Sequence, residues 1–130
     1  MRPSLLILLI IILISCSRNI PFDKNKWNET DEFFYKYRKQ MINDLVNNHF
    51  NSRMDRKEII ELLGEPEEKV KIESDNDFKY LIFEDYGWDI DPVETAHLII
   101  VFDKDSTIKK ILMKKWKHHQ DENFKELNIK

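Results

Sequence analysis

The segment Arg53–Pro66, RMDRKEIIELLGEP, carries a start, an apolar face and a stop for one short helix. Asp55 suits the N-cap position, and Glu58 three residues later completes a capping box. Gly64 favours the positive φ with which helices commonly end, and Pro66 cannot continue a helix. The segment therefore predicts a helix whose buried residues are Ile59, Ile60, Leu62 and Leu63.

A change of hydrophobic period follows this helix. Apolar residues that recurred every three to four positions now alternate with polar ones, as they do in half-buried strands. Because the segments are joined by turns or a loop, they predict an antiparallel meander. The alternation also places Ile82 and Phe83 on opposite faces, and the four lysines between Lys109 and Lys115 are typical of an edge strand. The predicted strands are residues 69–73, 78–86, 96–102 and 107–116.

A longer helix is predicted upstream, over residues 29–48. Its apolar residues recur at three- and four-residue spacing, for example at Phe34, Tyr37, Met41 and Leu45. Two helices followed by consecutive strands indicate an α+β fold, with two N-terminal helices packed on one face of a three- to four-stranded antiparallel meander sheet.

The N-terminus has the pattern of a secretory signal. Arg2 precedes an apolar run that is too short to span a bilayer as a helix. Leu13-Ile14-Ser15-Cys16 resembles the bacterial lipobox, in which the cysteine receives a diacylglyceryl group and the signal is cut just before it. An ordinary signal with a chance cysteine is the alternative. The predicted organisation is a cleaved signal peptide at 1–15, lipidated Cys16 and a tether at 16–27, a domain at 28–119 and a charged flexible tail at 120–130.

Charge and composition exclude several classes of function. Without residues 1–15, which contain one basic residue and no acidic one, the chain keeps 20 of its 21 basic residues and all 24 acidic ones, a net charge of −4. That balance argues against a nucleic-acid partner. Gly64 and Gly87 are the only glycines, so a glycine-rich phosphate loop is excluded. We expect no enzyme activity and no cofactor other than the covalent lipid on Cys16.

The helix motif and its context resemble one family. A lipobox, two helices of which the second ends Leu-Leu-Gly-x-Pro, and a meander with a Phe102-Asp103 turn resemble the BamE (SmpA/OmlA) lipoproteins. The family motif is Gly-Met-Thr-x-x-Glu-Val-x-x-Leu-Leu-Gly-x-Pro; here Asp55 stands at the threonine and Arg53 at the first glycine. The positions that match it are Met54, Glu58, Ile59, Leu62, Leu63, Gly64 and Pro66.

The resemblance implies a role as well as a fold. It implies a lipoprotein of the bacterial outer membrane that faces the periplasm and assists outer-membrane protein assembly or envelope maintenance. The implied partners are the membrane, through the anchor, an envelope protein such as a barrel-assembly subunit, and anionic lipid. The alternative is an inhibitory binding module like the β-lactamase-inhibitor proteins, which share the two-helix, antiparallel-sheet arrangement.

The loop after the second predicted strand is the main candidate for a binding surface. Large apolar side chains at Tyr86, Trp88 and Ile90 alternate there with Asp89 and Asp91. Trp and Tyr are frequent anchors of protein interfaces. Two interpretations stay open: Trp88 folds back over the sheet edge, or the loop presents it to a partner. The sheet face that the helices leave uncovered is a second candidate, because Tyr80, Ile82 and Ile99 cannot all lie under helices.

Two groups of side chains could bind a metal ion, and each has a simpler structural explanation. Asp89, Asp91, Glu94 and His97 form the densest group, but they lack the spacing and central glycine of a calcium loop, so a polar loop is the favoured interpretation. Adjacent His118 and His119 are expected to point in opposite directions at the end of a strand. We therefore predict no metal site.

Overall fold

The structure, a computed structural model, describes residues 18–31 and 34–130. This part of the chain is α+β, with three helices, a two-stranded antiparallel sheet and a five-stranded antiparallel sheet. The helices are α1 (Lys24–Trp27), α2 (Arg38–Asp44), which continues into a π-helical segment (Leu45–His49), and α3 (Arg56–Leu63). The strands are β1 (Thr30–Asp31), β2 (Phe34–Tyr35), β3 (Glu68–Val70), β4 (Asp77–Asp85), β5 (Glu94–Phe102), β6 (Ile108–Lys117) and β7 (Asn123–Leu127).

The helix predicted from RMDRKEIIELLGEP is confirmed as α3, but of its four predicted buried residues only Ile59 and Leu63 are fully buried, whereas Ile60 and Leu62 are partly buried. The Asp55 carboxylate accepts a 2.9 Å hydrogen bond from the Glu58 amide, and the Glu58 carboxylate accepts one of 2.9 Å from the Asp55 amide. Gly64 ends the helix at φ +85°, where a side chain would be strained. An N-cap side chain such as that of Asp55 contributes about 1 kcal/mol to the free energy of unfolding. The helix is therefore stabilised by its own ends as well as by its buried residues.

The predicted antiparallel meander is confirmed, but the main sheet has five strands in the order β3-β4-β5-β6-β7. The fifth strand, β7, lies in the segment predicted to be a flexible tail, and Phe124 pairs with Lys114 of β6. A 2.9 Å ion pair between Lys114 and Glu122 fastens the connection. The lysine-rich β6 is thus an interior strand, and its prediction as an edge strand is wrong. β7 satisfies backbone groups that ten-residue β6 would otherwise leave unpaired.

The predicted helix over residues 29–48 is wrong in its first half. Thr30 pairs with Tyr35 and Asp31 with Phe34 in a short β-ribbon, and the α-helix begins only at Arg38. The Phe34 ring lies 5.5 Å from that of Tyr86, at the end of β4. Aromatic residues favour strands. The contact between Phe34 and Tyr86 stabilises the extended conformation relative to a helical one.

The predicted tether is also shorter than expected. Trp27 is completely buried. The Ile20 amide donates to the Gln40 carbonyl at 3.0 Å, and the Phe22 amide donates to Asp44 at 2.7 Å. The packed domain therefore begins by Ile20, because these residues dock on α2 and its π-helical continuation. The predicted signal peptide at 1–15 and Cys16 lie outside the described residues.

One face of the main sheet, here called the core face, packs into the hydrophobic core. A β-bulge between Leu81 and Phe83 shifts the register, so that Phe83 pairs with Ala96 and packs against the core. The prediction that Phe83 lies on the face opposite Ile82 is therefore wrong. The sheet residues of this core are Phe78, Tyr80, Ile82, Ala96, Leu98, Ile100, Phe102, Ile108, Ile111 and Met113, and its helix residues include Trp27, Met41, Leu45, Ile59 and Leu63.

On the opposite face, here called the outer face, Ile99 and Val101 are buried but do not belong to that core. Ile99 is 1% exposed and lies between Lys79 and Leu112 in the register of the sheet. Tyr80 and Ile82, which were candidates for the same surface, belong to the core. The long aliphatic stems of lysines cover apolar surface effectively. Ile99 is thus unavailable as the centre of a second docking surface.

Candidate functional site

The loop of residues 86–93 joins β4 to β5 and is closed at its base by backbone hydrogen bonds. The Val93 amide donates to the Asp85 carbonyl at 2.7 Å, and the Gly87 amide donates to the Asp85 carboxylate at 2.9 Å. The His118 amide donates to the Val93 carbonyl at 2.8 Å, which ties the loop to the end of β6. Gly87 adopts φ +54°, which favours glycine. The loop is therefore an ordered projection from one end of the sheet.

The tip of this loop presents two large apolar side chains to solvent. Trp88 is 104% exposed and Ile90 is 96% exposed. The interpretation in which Trp88 folds back over the sheet edge is wrong, because a tryptophan packed on that edge would not be fully exposed. Neither side chain contributes to the core.

Tyr86 has a different role from the residues at the tip. It is partly buried, packs against Phe34, and donates a 3.1 Å hydrogen bond from its hydroxyl to Glu84. That hydrogen bond to a carboxylate raises the pKa of the Tyr86 phenol. Of the five residues predicted to bind a partner, Tyr86 alone is partly buried and contacts the rest of the domain through Phe34. Trp88, Asp89, Ile90 and Asp91 are exposed.

An aromatic stack lies beside the loop, and sequence reasoning did not find it. The rings of Trp116 and His118 are 6.2 Å apart and nearly parallel, and those of His118 and His119 are 3.9 Å apart. The prediction that the two histidines point apart is wrong, because β6 ends at Lys117 and His119 adopts φ +63° in the turn. The i, i+2 spacing of Trp116 and His118 places both side chains on one face of a strand, and this spacing could have indicated the stack. An open cavity of 500 Å³ separates stack and loop; it is lined by Asp89, Ile90, Asp91, Pro92, Trp116 and His118.

The fold does not bring together the densest group of possible metal ligands, which consists of Asp89, Asp91, Glu94 and His97. Asp89 and Asp91 are on the loop, whereas His97 lies on the outer face opposite Lys114. Burial lowers the pKa of His97, and the charges of Lys79 and Lys114 lower it further. Across residues 18–31 and 34–130, no group of three or more His, Cys, Asp or Glu side chains is arranged to hold a metal ion.

The described residues contain no helix that is long and apolar enough to cross a bilayer. Cys16, the predicted lipid attachment site, precedes them in the chain.

No protein-family model, curated protein or solved structure matches the chain.

Proposed function

We propose that this chain is a protein-binding module that contacts its partner through the loop of residues 86–93. One observation carries the proposal: Trp88 and Ile90 are fully exposed on a loop whose base is hydrogen-bonded. Large apolar side chains contribute most to the binding free energy when a partner removes them from water. An ordered loop loses little conformational entropy on binding.

The proposal places the module at the periplasmic side of the bacterial outer membrane, held by a lipid on Cys16. Its partner is a barrel-assembly subunit or another envelope protein, with anionic lipid as a further ligand, in outer-membrane protein assembly or envelope maintenance. The lipobox and the BamE-like motif of α3 support this placement. We also propose that the fold has the BamE-like arrangement, in which two helices pack on one face of the sheet.

An inhibitory module like the β-lactamase-inhibitor proteins is the second candidate. The observation that favours it is the shape of the loop, which projects Trp88 and Ile90 away from the sheet, as a segment that enters a cleft would. Recovery of this protein with a soluble partner, and without any membrane complex, would distinguish an inhibitory function from an assembly role.

The double variant Trp88→Ala/Ile90→Ala tests the binding loop. We expect it to change the free energy of unfolding by no more than about 0.5 kcal/mol, because both side chains are exposed. Capture of a barrel-assembly subunit from membranes solubilised in mild detergent should fall about 30-fold, the loss typical of an interface hot spot.

Ile72→Ala is the matched control, because Ile72 is also a large exposed apolar residue, 41% exposed, but lies in the connection between β3 and β4. We expect it to capture the subunit as the wild type does. Failure of the wild type to recover any such subunit would exclude the assembly role, and undiminished capture by the double variant would exclude the loop.

Cys16→Ser tests the anchor. The domain should remain folded, with an unchanged unfolding midpoint, yet leave the membrane fraction for the soluble one. Only residues 17–19 separate Cys16 from Ile20, which is bound to Gln40. At about 3.5 Å per residue, that chain holds Ile20 within about 14 Å of the lipidated residue. A variant that stays in the membrane fraction would contradict the anchor.

A further inference from the structure

A groove opens on the core face at the side of the sheet that β7 closes. A cavity of 250 Å³ lies there between α2 and strands β6 and β7. Its apolar surface comes from Ile42, Ile82, Phe83, Ala96, Met113 and Leu127, and its polar residues are Lys39, Asn43, Lys115 and Lys125. The groove continues along α2 and β7 into a second cavity of 240 Å³ that shares Ile42, Asn43, Lys125 and Leu127 and has one acidic lining residue, Glu126. We call the two cavities together the basic groove.

The three lysines of the basic groove outnumber its single carboxylate, Glu126. Lys39, Lys115 and Lys125 are exposed, and none of them forms an ion pair with a carboxylate within residues 18–31 and 34–130. By contrast, Lys79 and Lys114 on the outer face are each paired with a glutamate, at 2.7 and 2.9 Å. The Lys39 ammonium lies 4.3 Å from the centroid of the Phe83 ring. The groove therefore suits an occupant in which apolar side chains alternate with carboxylates.

We propose that the occupant is the loop of residues 86–93 of a second copy of this chain. The inference rests on the proposed function, in which this loop is the binding element, and it adds a second copy of the chain as a partner that competes with the envelope protein for the loop. The loop sequence Trp88-Asp89-Ile90-Asp91 alternates apolar and acidic residues. Trp88 and Ile90 match the apolar surface of the groove, and the two carboxylates match its lysines.

The loop meets this groove in a second copy and not in its own. In its own chain the loop borders Trp116 and His118, and Trp88 touches nothing that shields it from solvent. Thr95 and Trp116 pair on the outer face, whereas the basic groove is lined by Ala96, Phe83 and other residues of the core face. The loop and the groove thus lie on opposite faces of the sheet.

The same geometry predicts a closed dimer. Phe83 and Lys115 each lie two residues before the ends of β4 and β6 that adjoin the loop, so loop and groove share one end of the sheet. Two copies related by a two-fold axis exchange loops reciprocally, which makes two equivalent contacts. Each contact needs the loop of one copy and the groove of the other.

Complementary variants test the dimer with the full chain in mild detergent. Two differently tagged copies are co-expressed, and the amount of one captured with the other is measured. We expect the loop variant Trp88→Ala/Ile90→Ala and the groove variant Lys115→Glu/Lys125→Glu each to lower self-capture about tenfold or more. Mixing the loop variant with the groove variant should recover capture, because that pair keeps one intact contact. Raising the salt from about 0.05 to about 0.5 M should weaken wild-type capture.

The control Lys57→Glu/Lys69→Glu makes the same charge change at exposed lysines outside the groove and should leave self-capture unchanged. Unchanged unfolding midpoints establish that each variant is folded. Absence of wild-type self-capture, or a mixed pair no better than each variant alone, would overturn the dimer. So would binding of anionic phospholipid vesicles that depends on Lys115 and Lys125 in a protein that does not self-associate. If self-capture fails while Trp88 and Ile90 are still required for the envelope partner, the proposed function stands without the dimer.

Discussion

Replacement of Arg38 by methionine is expected to lower the free energy of unfolding by about 3–5 kcal/mol, the cost of breaking a buried charge network. Arg38 is 1% exposed. Its guanidinium donates to the Glu67 carboxylate at 2.6 Å, to the Leu81 carbonyl at 2.7 Å and to the Trp27 carbonyl at 2.9 Å. Methionine fills part of the space but leaves a carboxylate and two carbonyls without these donors.

The planar shape of the Arg38 side chain matters as much as its charge. Its guanidinium carbon lies 4.7 Å from the centroid of the Trp27 ring and 3.2 Å from that of Tyr35. A lysine ammonium cannot reproduce the forked set of donors or stack between two rings. Arg38→Lys should therefore recover only a small part of the lost stability.

Equilibrium unfolding in denaturant measures both variants. Arg53→Met is the matched control, because Arg53 is exposed, and it should stay within about 0.5 kcal/mol of the wild type. A loss of less than about 1 kcal/mol in Arg38→Met would show that the network contributes no more than an exposed ion pair.

Replacement of Asp77 by alanine is expected to cost about 3 kcal/mol, because one buried donor and four partly buried donors lose their acceptor. Asp77 is completely buried. One carboxylate oxygen accepts from the amides of Ile72, Glu73 and Ser74 at 3.2, 2.9 and 3.0 Å. The other accepts from the Ser74 hydroxyl at 2.5 Å and from the Phe102 amide at 3.1 Å. A single side chain thus orders the loop before β4 and joins it to the end of β5.

The same carboxylate makes stability depend on acid pH. Burial alone would raise the pKa of Asp77, but the hydrogen bonds from Ser74, Glu73 and Phe102 outweigh it and hold that pKa below its ordinary value. The unfolded chain, with an aspartate pKa of about 3.9, then binds more protons than the folded one. The stabilisation is present above that pH and is lost as the pH falls through the lower folded pKa.

Asp77→Asn isolates this contribution, since it removes the titration with little change in shape. Its unfolding free energy should be lower than that of the wild type at neutral pH and should fall less steeply below about pH 4. The control is Asp75→Asn, whose exposed carboxylate forms a 2.9 Å pair with Lys71. It should change stability by less than about 0.5 kcal/mol. Parallel profiles for the wild type and Asp77→Asn would contradict the assignment.

Local interactions explain which parts of the fold were predictable. The cap, apolar face and stop of α3 involve residues within a few positions of one another, and the helix has the predicted ends. The strands β4, β5 and β6 were predicted within about two residues at each end because alternation is also a local property.

The errors arose where a contact distant in sequence decides the conformation. Phe34 is extended because it meets Tyr86, and residues 123–127 form a strand because β6 offers them an open edge. The bulge after Leu81 exchanged the face of Phe83. The local pattern of apolar residues indicates none of these contacts.

The candidate site divides in the same way. The composition of the loop of residues 86–93, with Trp88 and Ile90 between acidic residues, was visible in the sequence. Its exposure was not, because it depends on the bonds from Val93 to Asp85 and from His118 to Val93. By itself the sequence determined α3, the order of the central strands and the chemistry of the loop, since these follow from neighbouring residues. Only the tertiary structure decided that Trp88 faces solvent and that a lysine-rimmed groove lies on the core face, because both depend on contacts between segments far apart in the chain.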